Sequence, residues 1–310
     1  MPSIADLDVF PLCLGGNVFG WTADREQSFA VLDAYAAAGG NFIDTADSYS
    51  AWIPGNAGGE SETIIGAWMA ARGNRDEMIV ATKVAKWDKF PGLSAANLRA
   101  AAEGSLERLQ TDRIDLYYTH EDDPSVPIEE TLGELDKLVS EGKVRRLGAS
   151  NFTTARLAES LAISERDGLA SYAAVQPQYS LVERDEYEGE LQDLIVERGL
   201  ACAPYFALAM GFLTGKYRPG GDDVDSPRAG GASRYLQSGR GERVLAALDE
   251  AAGAHGVPVA SVALAWLLAQ PGVVAPIASA RTPEQLADLL PVATLQLTDS
   301  ELQRLTEAGA

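Results

Sequence analysis

Short apolar runs alternate along the chain with longer segments in which apolar residues recur every three or four positions. The first pattern is typical of buried β-strands and the second of amphipathic α-helices. Strands that alternate with helices favour parallel pairing, since each helix carries the chain back to the same end of the sheet. Eight strands are predicted, at residues 9–14, 42–44, 78–83, 114–119, 144–149, 173–176, 200–204 and 273–277.

Eight strand-and-helix units close naturally into a (β/α)8 TIM barrel, an α/β fold. No linker separates two cores, so we expect a single domain over residues 1–310, with a Gly-, Pro- and charge-rich loop insertion at about 217–240. A doubly wound sheet is the alternative. That fold normally carries a Gly-x-Gly-x-x-Gly turn after its first strand, whereas residues 15–20 read GGNVFG.

Composition narrows the class of protein. The chain of 310 residues is 46% hydrophobic and carries a formal net charge of −20, which disfavours binding to nucleic acid or to an anionic membrane. Cys13 and Cys202 lie in apolar runs and are predicted to be buried thiols. The N-terminus has no basic, apolar leader and no stretch reaches about 18 apolar residues, so a cytoplasmic protein is expected.

Polar side chains stand where three consecutive predicted strands end. Asp44 ends the second strand and Tyr49 follows it by five residues; Lys83 ends the third strand, and His120 follows the fourth. Because chemistry in TIM barrels is found at the C-terminal ends of the strands, we expect these four side chains to converge. Each feature alone has a simpler explanation. Lys83 and Asp44 fit a buried ion pair, and His120 fits a structural histidine. The loop that carries Tyr49 fits an ordinary surface loop. Together they favour a catalytic site.

The four residue types suit protonation of a carbonyl oxygen. A free phenol has a pKa near 10, and an adjacent ammonium is expected to lower the pKa of Tyr49. Asp44 would hold the Lys83 ammonium, while His120 would orient the substrate oxygen. None of these groups can supply a hydride, so the chemistry requires a nicotinamide cofactor. No cluster has metal-ligand spacing, and no metal is predicted.

Several motifs occur in order along nearly the whole chain: FIDTADSY (42–49), GESETIIG (59–66), TK (82–83), DLYYTH (115–120), GASNF (148–152), QPQYS (176–180), PYFALAMGFLTGKY (204–217) and RTPEQL (281–286). In these motifs the sequence resembles the aldo-keto reductase superfamily. The resemblance implies a TIM barrel that reduces aldehydes or ketones with NADPH, NADH being the less favoured cofactor. It also implies a catalytic tetrad of Asp44, Tyr49, Lys83 and His120, with Tyr49 as the proton donor.

The resemblance further implies which residues bind the cofactor. Ser150, Asn151 and Gln176 would hold the nicotinamide carboxamide, and Tyr205 would stack on the ring. The remaining residues match first-loop, pyrophosphate or adenosine contacts: Gly16, Asn17, Val18, Phe206, Ala207, Leu208, Gly211, Lys216, Ser279, Arg281 and Gln285. Arg228, in the predicted insertion, is expected to reach the adenine side.

Two departures from the family pattern concern the cofactor site. The family's Tyr-Ser-Pro-Leu is here Tyr205-Phe206-Ala207-Leu208, which puts cofactor affinity in question, and Leu289 stands where an asparagine commonly binds adenine.

Four residues are candidates for the substrate-binding wall. Trp21, Trp52, Ile53 and Trp87 are predicted to lie in loops at the catalytic end; packing beneath long loops is the alternative for each tryptophan. Trp68 and Trp266 are predicted to be core residues.

Two other functions stay open. One is a cofactor-binding regulatory or redox-sensing partner protein with little turnover, as in the potassium-channel β subunits that belong to the superfamily. The other is a sugar or steroid alcohol dehydrogenase working in the oxidative direction.

Overall fold

Eight parallel strands form the centre of the molecule in a computed structural model that describes residues 1–220, 226–237 and 239–310. The strands are β1 (Cys13–Gly15), β2 (Phe42–Asp44), β3 (Ile79–Val84), β4 (Ile114–Thr119), β5 (Val144–Ser150), β6 (Tyr172–Gln176), β7 (Ala201–Cys202) and β8 (Ile277–Ala278). Their order in the sheet is β7-β6-β5-β4-β3-β2-β1-β8. Strands that follow one another along the chain from β1 to β7 are therefore neighbours in the sheet.

The sheet curls until its two ends meet. The segment from Val274 to the first residue of β8 bonds to β7 and its continuation: the Val274 amide donates to the Cys202 carbonyl (2.9 Å) and the Ile277 amide to the Pro204 carbonyl (2.9 Å). β8 itself pairs with β1. The predicted (β/α)8 TIM barrel is confirmed.

Helices surround the barrel on the outside. They are α1 (Arg25–Ala37), α2 (Glu60–Arg72), α3 (Ala95–Leu109), α4 (Ile128–Ser140), α5 (Thr154–Asp167), α6 (Glu190–Arg198), α7 (Ala229–Ser233), α8 (Gly239–His255), α9 (Val259–Leu268), α10 (Pro283–Ala287) and α11 (Asp299–Gly309). No single helix in residues 1–220, 226–237 and 239–310 is long and apolar enough to cross a membrane; only α8 and α9 together, across a 98° bend, pass that test.

Alternation along the strands divides the apolar residues into two layers. Along β4, Leu116 and Tyr118 belong to the cluster inside the barrel, whereas Tyr117 between them belongs to the larger cluster between sheet and helices. This two-residue period is what a strand with both faces buried requires. Trp68 and Trp266 are fully buried in the outer layer, as predicted, and Cys13 and Cys202 are buried free thiols.

The N-terminal residues depart from the prediction. Ser3–Ile4 and Leu7–Asp8 pair as an antiparallel hairpin, and the first barrel strand begins only at Cys13. Ile4, Leu7 and Val9 are buried in the interior cluster. Val9, at the start of the predicted strand, therefore packs in the barrel interior before the observed strand begins.

The predicted insertion at 217–240 is partly helical. It contains α7, a 3-10 turn at Arg234–Gln237 and the first residues of α8. Residues 221–225 and 238 of this insertion lie outside the described residues.

Candidate active site

Lys83 is the centre of a hydrogen-bonded group at the C-terminal ends of β2 and β3. Its side chain is fully buried, and its Nζ lies 2.7 Å from Asp44 Oδ2, 2.7 Å from the Thr45 carbonyl oxygen and 2.8 Å from the Tyr49 hydroxyl. Three oxygens around three ammonium hydrogens are what a buried lysine needs to remain charged.

Asp44 is fixed from two sides. Its Oδ2 accepts from Lys83 and from the Tyr49 hydroxyl at 3.1 Å, and its Oδ1 accepts from Gln176 Nε2 at 2.9 Å. Gln176 ends β6, on the far side of the barrel from β2 in the strand order. The carboxylate thus joins side chains from three strand ends.

The pKa of Tyr49 lies in the direction opposite to the one expected from sequence. Burial and then the Asp44 carboxylate raise the pKa of the Tyr49 phenol well above its ordinary value. Burial also lowers the pKa of Lys83, while Asp44 opposes that shift. The resting site therefore holds a neutral phenol beside an ammonium, and the ammonium is placed to stabilise a phenolate once the proton has left.

His120 is held in its neutral form. Burial, followed by the positive charges of Lys83 and Lys86, lowers the pKa of its imidazole well below the ordinary value. The ring centroid lies 6.2 Å from that of Tyr49, and Asn151 Nδ2 donates to the His120 carbonyl at 2.7 Å. A neutral imidazole can donate one hydrogen bond to a substrate oxygen beside the phenol.

A cavity of about 610 Å³ opens above these residues. It brings together most of the residues predicted from the sequence. Those that line it are Asn17, Val18, Trp21, Asp44, Tyr49, His120, Ser150, Asn151, Gln176, Tyr205, Phe206, Ala207, Leu208, Gly211, Lys216, Arg228, Ser279, Arg281 and Gln285. Lys83 lies directly beneath Tyr49. Gly16 lies below the lining, where a Cβ would stand 2.8 Å from Ser61 Oγ.

Three cations form a cluster in this cavity, and we call Lys216, Arg228 and Arg281 the cation cluster. Arg281 and Arg228 both add to burial in lowering the pKa of Lys216. Within the described residues, no carboxylate lies within 4.0 Å of a charged nitrogen of any of the three. Like charges gathered with no counter-charge within that distance among the described residues fit a polyanion such as the phosphates of a nicotinamide cofactor.

Arg228 lies nearer to Tyr49 than its predicted role on the adenine side implies. Its guanidinium carbon is 5.3 Å from the centre of the Trp21 ring, and its charge is close enough to affect Tyr49. The reason is that the chain after residue 225 folds back over the first barrel loop, which the sequence pattern could not indicate.

The loop after β7 has a strained backbone where it lines the cavity. Phe206, Ala209 and Met210 adopt positive φ values of 65°, 47° and 59°. This conformation costs a non-glycine residue about 1–2 kcal/mol, and such strain is concentrated at functional sites. The Phe206-Ala207 departure thus occurs in a loop that still bends around the cavity. Leu289 is 3% exposed and presents an apolar surface there.

The amide and hydroxyl groups opposite Tyr49 are already ordered. Ser150 Oγ donates to the Gln176 carbonyl at 2.8 Å, and Asn151 Oδ1 accepts from the Tyr205 hydroxyl at 2.9 Å. On the other side Ser279 Oγ bonds Asn17 Oδ1 at 2.7 Å. A Cβ on Gly15 would lie 2.5 Å from Ser279 Oγ, so a larger residue at that lining position would displace the Ser279 hydroxyl.

Three of the four predicted substrate-wall residues do not line the cavity in the described part of the chain. Trp52 is 51% exposed and packs edge-on against Trp21 (5.7 Å) and Tyr49 (6.4 Å), which places it at the rim. Ile53 follows it in the same loop. Trp87 is buried under a small hairpin against Phe90 and Arg108, so its structural role is packing. Trp21 does line the cavity.

Sequence reasoning missed several lining residues. They include Gly15, Thr22, Lys86, Thr214, Ser226, Pro227, Pro258, Ala260, Ile277, Ala278 and Asp288. Lys86 is the one that could have been found, because it stands three residues after Lys83 on the same strand-end segment.

A barrel with a polar site at its strand ends is the arrangement of TIM-barrel enzymes. A family model described as "Aldo/keto reductase family" matches residues 11–310, so the chain belongs to the aldo/keto reductase family. Members of this family are NAD(P)H-dependent oxidoreductases that act on small-molecule carbonyl compounds, and this chain is one of them.

Relatives extend over almost all of the chain. An aryl-alcohol dehydrogenase from Pestalotiopsis microspora is 34% identical, covering 97% of this chain and 79% of the relative. Norsolorinic acid reductase B from Aspergillus parasiticus is 33% identical, covering 98% of this chain and 82% of the relative. An uncharacterized oxidoreductase from Bacillus subtilis is 36% identical, covering 96% of this chain and 91% of the relative.

Proposed function

We propose that the protein reduces aryl aldehydes and ketones to alcohols with NADPH, and that Tyr49 donates the proton. The observation that supports this most directly is the Tyr49 hydroxyl, which bonds both Lys83 Nζ (2.8 Å) and Asp44 Oδ2 (3.1 Å) in the wall of the cavity. A proton donor must contact its substrate, and the negative charge that it acquires must be stabilised. The position of this hydroxyl allows both.

The proton transfer follows from the charges around Tyr49. A bound nicotinamide coenzyme would supply the hydride that the carbonyl carbon accepts. As negative charge grows on the carbonyl oxygen, Tyr49 turns its hydrogen from Asp44 to that oxygen and transfers it. Lys83 then stabilises the phenolate, and Asp44 keeps the ammonium in place. Hydride and proton together convert C=O to CH–OH, which leaves the phenolate to be reprotonated from solvent.

The neutral state of His120 suits a positioning role. Because burial and two neighbouring cations keep the imidazole uncharged, it can direct an N–H toward the substrate oxygen without competing with Tyr49 as an acid. The Trp52 ring packs edge-on against the Tyr49 ring, and Trp21 packs edge-on against Trp52.

Two features support the finer choice of cofactor and substrate. The cation cluster has more positive charge than a pyrophosphate alone requires in the described part of the cavity, which favours the additional 2′-phosphate of NADPH. The aromatic rim of Trp21, Trp52 and Tyr49 favours aryl groups, and two of the relatives carry the names aryl-alcohol dehydrogenase and norsolorinic acid reductase. The name aryl-alcohol dehydrogenase also supports a second candidate function, which is oxidation of alcohols. This is the reverse reaction, and it would use the same side chains.

Replacing Tyr49 by Phe tests the assignment. The substitution removes one hydroxyl and keeps the ring, so we expect turnover of benzaldehyde to fall about 10²- to 10⁴-fold, the usual range for general acid catalysis. NADPH oxidation measured with an aryl aldehyde, and NADP reduction with the matching alcohol, report both directions.

The control is the Kd for NADPH, measured by quenching of protein fluorescence, which we expect to stay within a few-fold of wild type. Turnover of Tyr49→Phe near the wild-type value would remove Tyr49 from the role. Slow turnover of every carbonyl by the wild type, with tightly bound cofactor, would favour the regulatory alternative instead.

A further inference from the structure

One of the cations that line the cavity stands apart from those assigned to the cofactor phosphates. Four cationic side chains line it in the described part of the chain: Lys86, Lys216, Arg228 and Arg281. The last three are the cation cluster, whose members affect one another electrostatically and suit the cofactor phosphates. Lys86 stands apart from them, and its electrostatic effect falls on His120 instead. Lys86 therefore places a positive charge on the substrate side of the catalytic group.

The position of Lys86 is fixed by its backbone. It begins a two-residue strand, Lys86–Trp87, which pairs with Phe90–Pro91 in a hairpin directly after β3. Trp87 is 7% exposed and anchors this hairpin, with the Arg108 guanidinium 5.2 Å from its ring. An anchored backbone keeps the lysine at the mouth of the cavity, while its long side chain stays free to turn toward a ligand.

The ion pair that Lys86 makes is weak and replaceable. Its Nζ lies 3.6 Å from Glu121 Oε2, beyond hydrogen-bond distance, and the two side chains are 34% and 48% exposed. An exposed pair of this kind contributes about 0–1 kcal/mol. A carboxylate that enters the cavity can take the place of Glu121, where it is less accessible to water.

We propose that Lys86 is a specificity-determining residue that selects aryl carbonyl substrates carrying a carboxylate. The ring of such a substrate would meet the aromatic rim, its carbonyl would meet Tyr49 and His120, and its carboxylate would replace Glu121 at Lys86. The inference rests on the proposed function, because it concerns which carbonyl compounds that site prefers. It also assigns Glu121 a role, which is to shield Lys86 when a neutral substrate is bound.

The test compares two substrates of nearly the same shape, 4-carboxybenzaldehyde and 4-nitrobenzaldehyde, of which only the first is charged. The measured quantity is the ratio of their kcat/KM values, so that any general change in catalysis cancels. We expect Lys86→Gln to lower this ratio about three- to tenfold and Lys86→Arg to preserve it. Glu121→Gln should raise the ratio, because it removes the competing carboxylate.

Lys89→Gln is the matched control. Lys89 lies in the turn of the same hairpin, with its amine 5.1 Å from the centre of the Trp87 ring, and it does not line the cavity in the described structure. Its substitution should leave the ratio unchanged, whereas rising ionic strength should lower the wild-type ratio.

The outcomes separate this inference from the proposed function. If the wild type reduces neither aldehyde, the proposed function fails and the inference fails with it. If the wild type reduces both, and Lys86→Gln changes the two kcat/KM values by the same factor or not at all, the inference alone is overturned. An equal loss in Lys89→Gln and Lys86→Gln would overturn it as well.

Discussion

Lys83 shows how a single residue can be both costly and necessary. Removing its charge from water is unfavourable by several kcal/mol, and the contacts to Asp44, Thr45 and Tyr49 offset that cost only as a complete set. Loss of any one partner would leave a buried group without its counterpart. The hydrogen-bonded group around Lys83 is thus also a stability element.

Asp47 is a second buried acid near this group, and it leads to a pH-dependent prediction. Its side chain is fully buried, and neither carboxylate oxygen has a hydrogen-bond partner among the described residues. Burial, with Glu62 adding to it, raises the pKa of Asp47 to about 8. Between the ordinary value of 3.8 and about 8 the folded protein holds a proton that the unfolded chain releases. The contribution of Asp47 to stability is therefore lost as pH rises through this window.

The measurement is the free energy of unfolding in urea for the wild type and Asp47→Asn. We expect the wild type to lose stability relative to the variant as pH rises from about 5 to about 8, by at most about 1.4 kcal/mol per pH unit. The control is Asp88→Asn, at an exposed position. The difference in unfolding free energy between the wild type and this variant should stay constant over the same pH range. A wild-type-minus-Asp47→Asn difference that does not change with pH would contradict the prediction.

At the scale of elements, α2 supports the site from behind. Glu62 on this helix accepts from Thr82 on β3 at 2.5 Å and pairs with Arg108 on α3 at 2.6 Å. Ser61 donates to the Gly16 carbonyl at 2.8 Å and accepts from the Thr45 hydroxyl at 2.8 Å. The helix therefore ties together the loops that carry the proposed catalytic and cofactor-binding residues.

The approach of α2 to α3 depends on Gly66. A Cβ at this position would lie 2.4 Å from the Arg108 carbonyl oxygen and 2.6 Å from the Leu109 carbonyl carbon, and these backbone atoms cannot move aside cheaply. We expect Gly66→Ala to destabilise the protein by about 1–3 kcal/mol, even though alanine is the better helix former. Urea unfolding measures the change.

Gly133 in α4 provides the opposite case. A Cβ there meets nothing within 4 Å, so Gly133→Ala should stabilise the protein by up to about 1 kcal/mol through helix propensity alone. Changes of the same sign in both variants would show that the close helix contact does not decide the result.

These elements also show what could be predicted from sequence. Strands and helices with a clear period were placed well: α2 spans Glu60–Arg72 as predicted, and β4 spans Ile114–Thr119. The hairpin at Ser3–Asp8 was missed because two-residue strands leave no period to detect. Convergence of the tetrad followed from strand order, whereas the pKa direction of Tyr49 depended on burial that no linear pattern records. The sequence could not distinguish Trp87 from a residue that lines the cavity, because the hairpin in which Trp87 packs has no clear sequence pattern.

At the scale of the whole molecule, net charge opposes the proposed cofactor. A protein of charge −20 repels a polyanionic dinucleotide at long range. The cation cluster reverses that field locally inside the cavity, where screening by water and salt is weakest. The concentration of free positive charge at one site is thus a property of the whole charge distribution as much as of three residues.

Arg281 is the member of this cluster that should decide between NADPH and NADH. It lines the cavity at the start of the segment that leads into α10, and a guanidinium suits bidentate contact with a phosphate. Removing one charged partner costs roughly 1.5–3 kcal/mol, so Arg281→Ala should weaken NADPH binding about 10- to 150-fold. NADH binding should barely change, because that cofactor has no 2′-phosphate.

The control is Arg166→Ala on α5, where Arg166 forms an exposed ion pair with Asp167. This substitution removes the same charge from the whole molecule without changing the cavity. If general charge decided the preference, both variants would weaken both cofactors equally; a loss confined to NADPH and to Arg281→Ala, and reduced at high salt, would assign the preference to that one guanidinium.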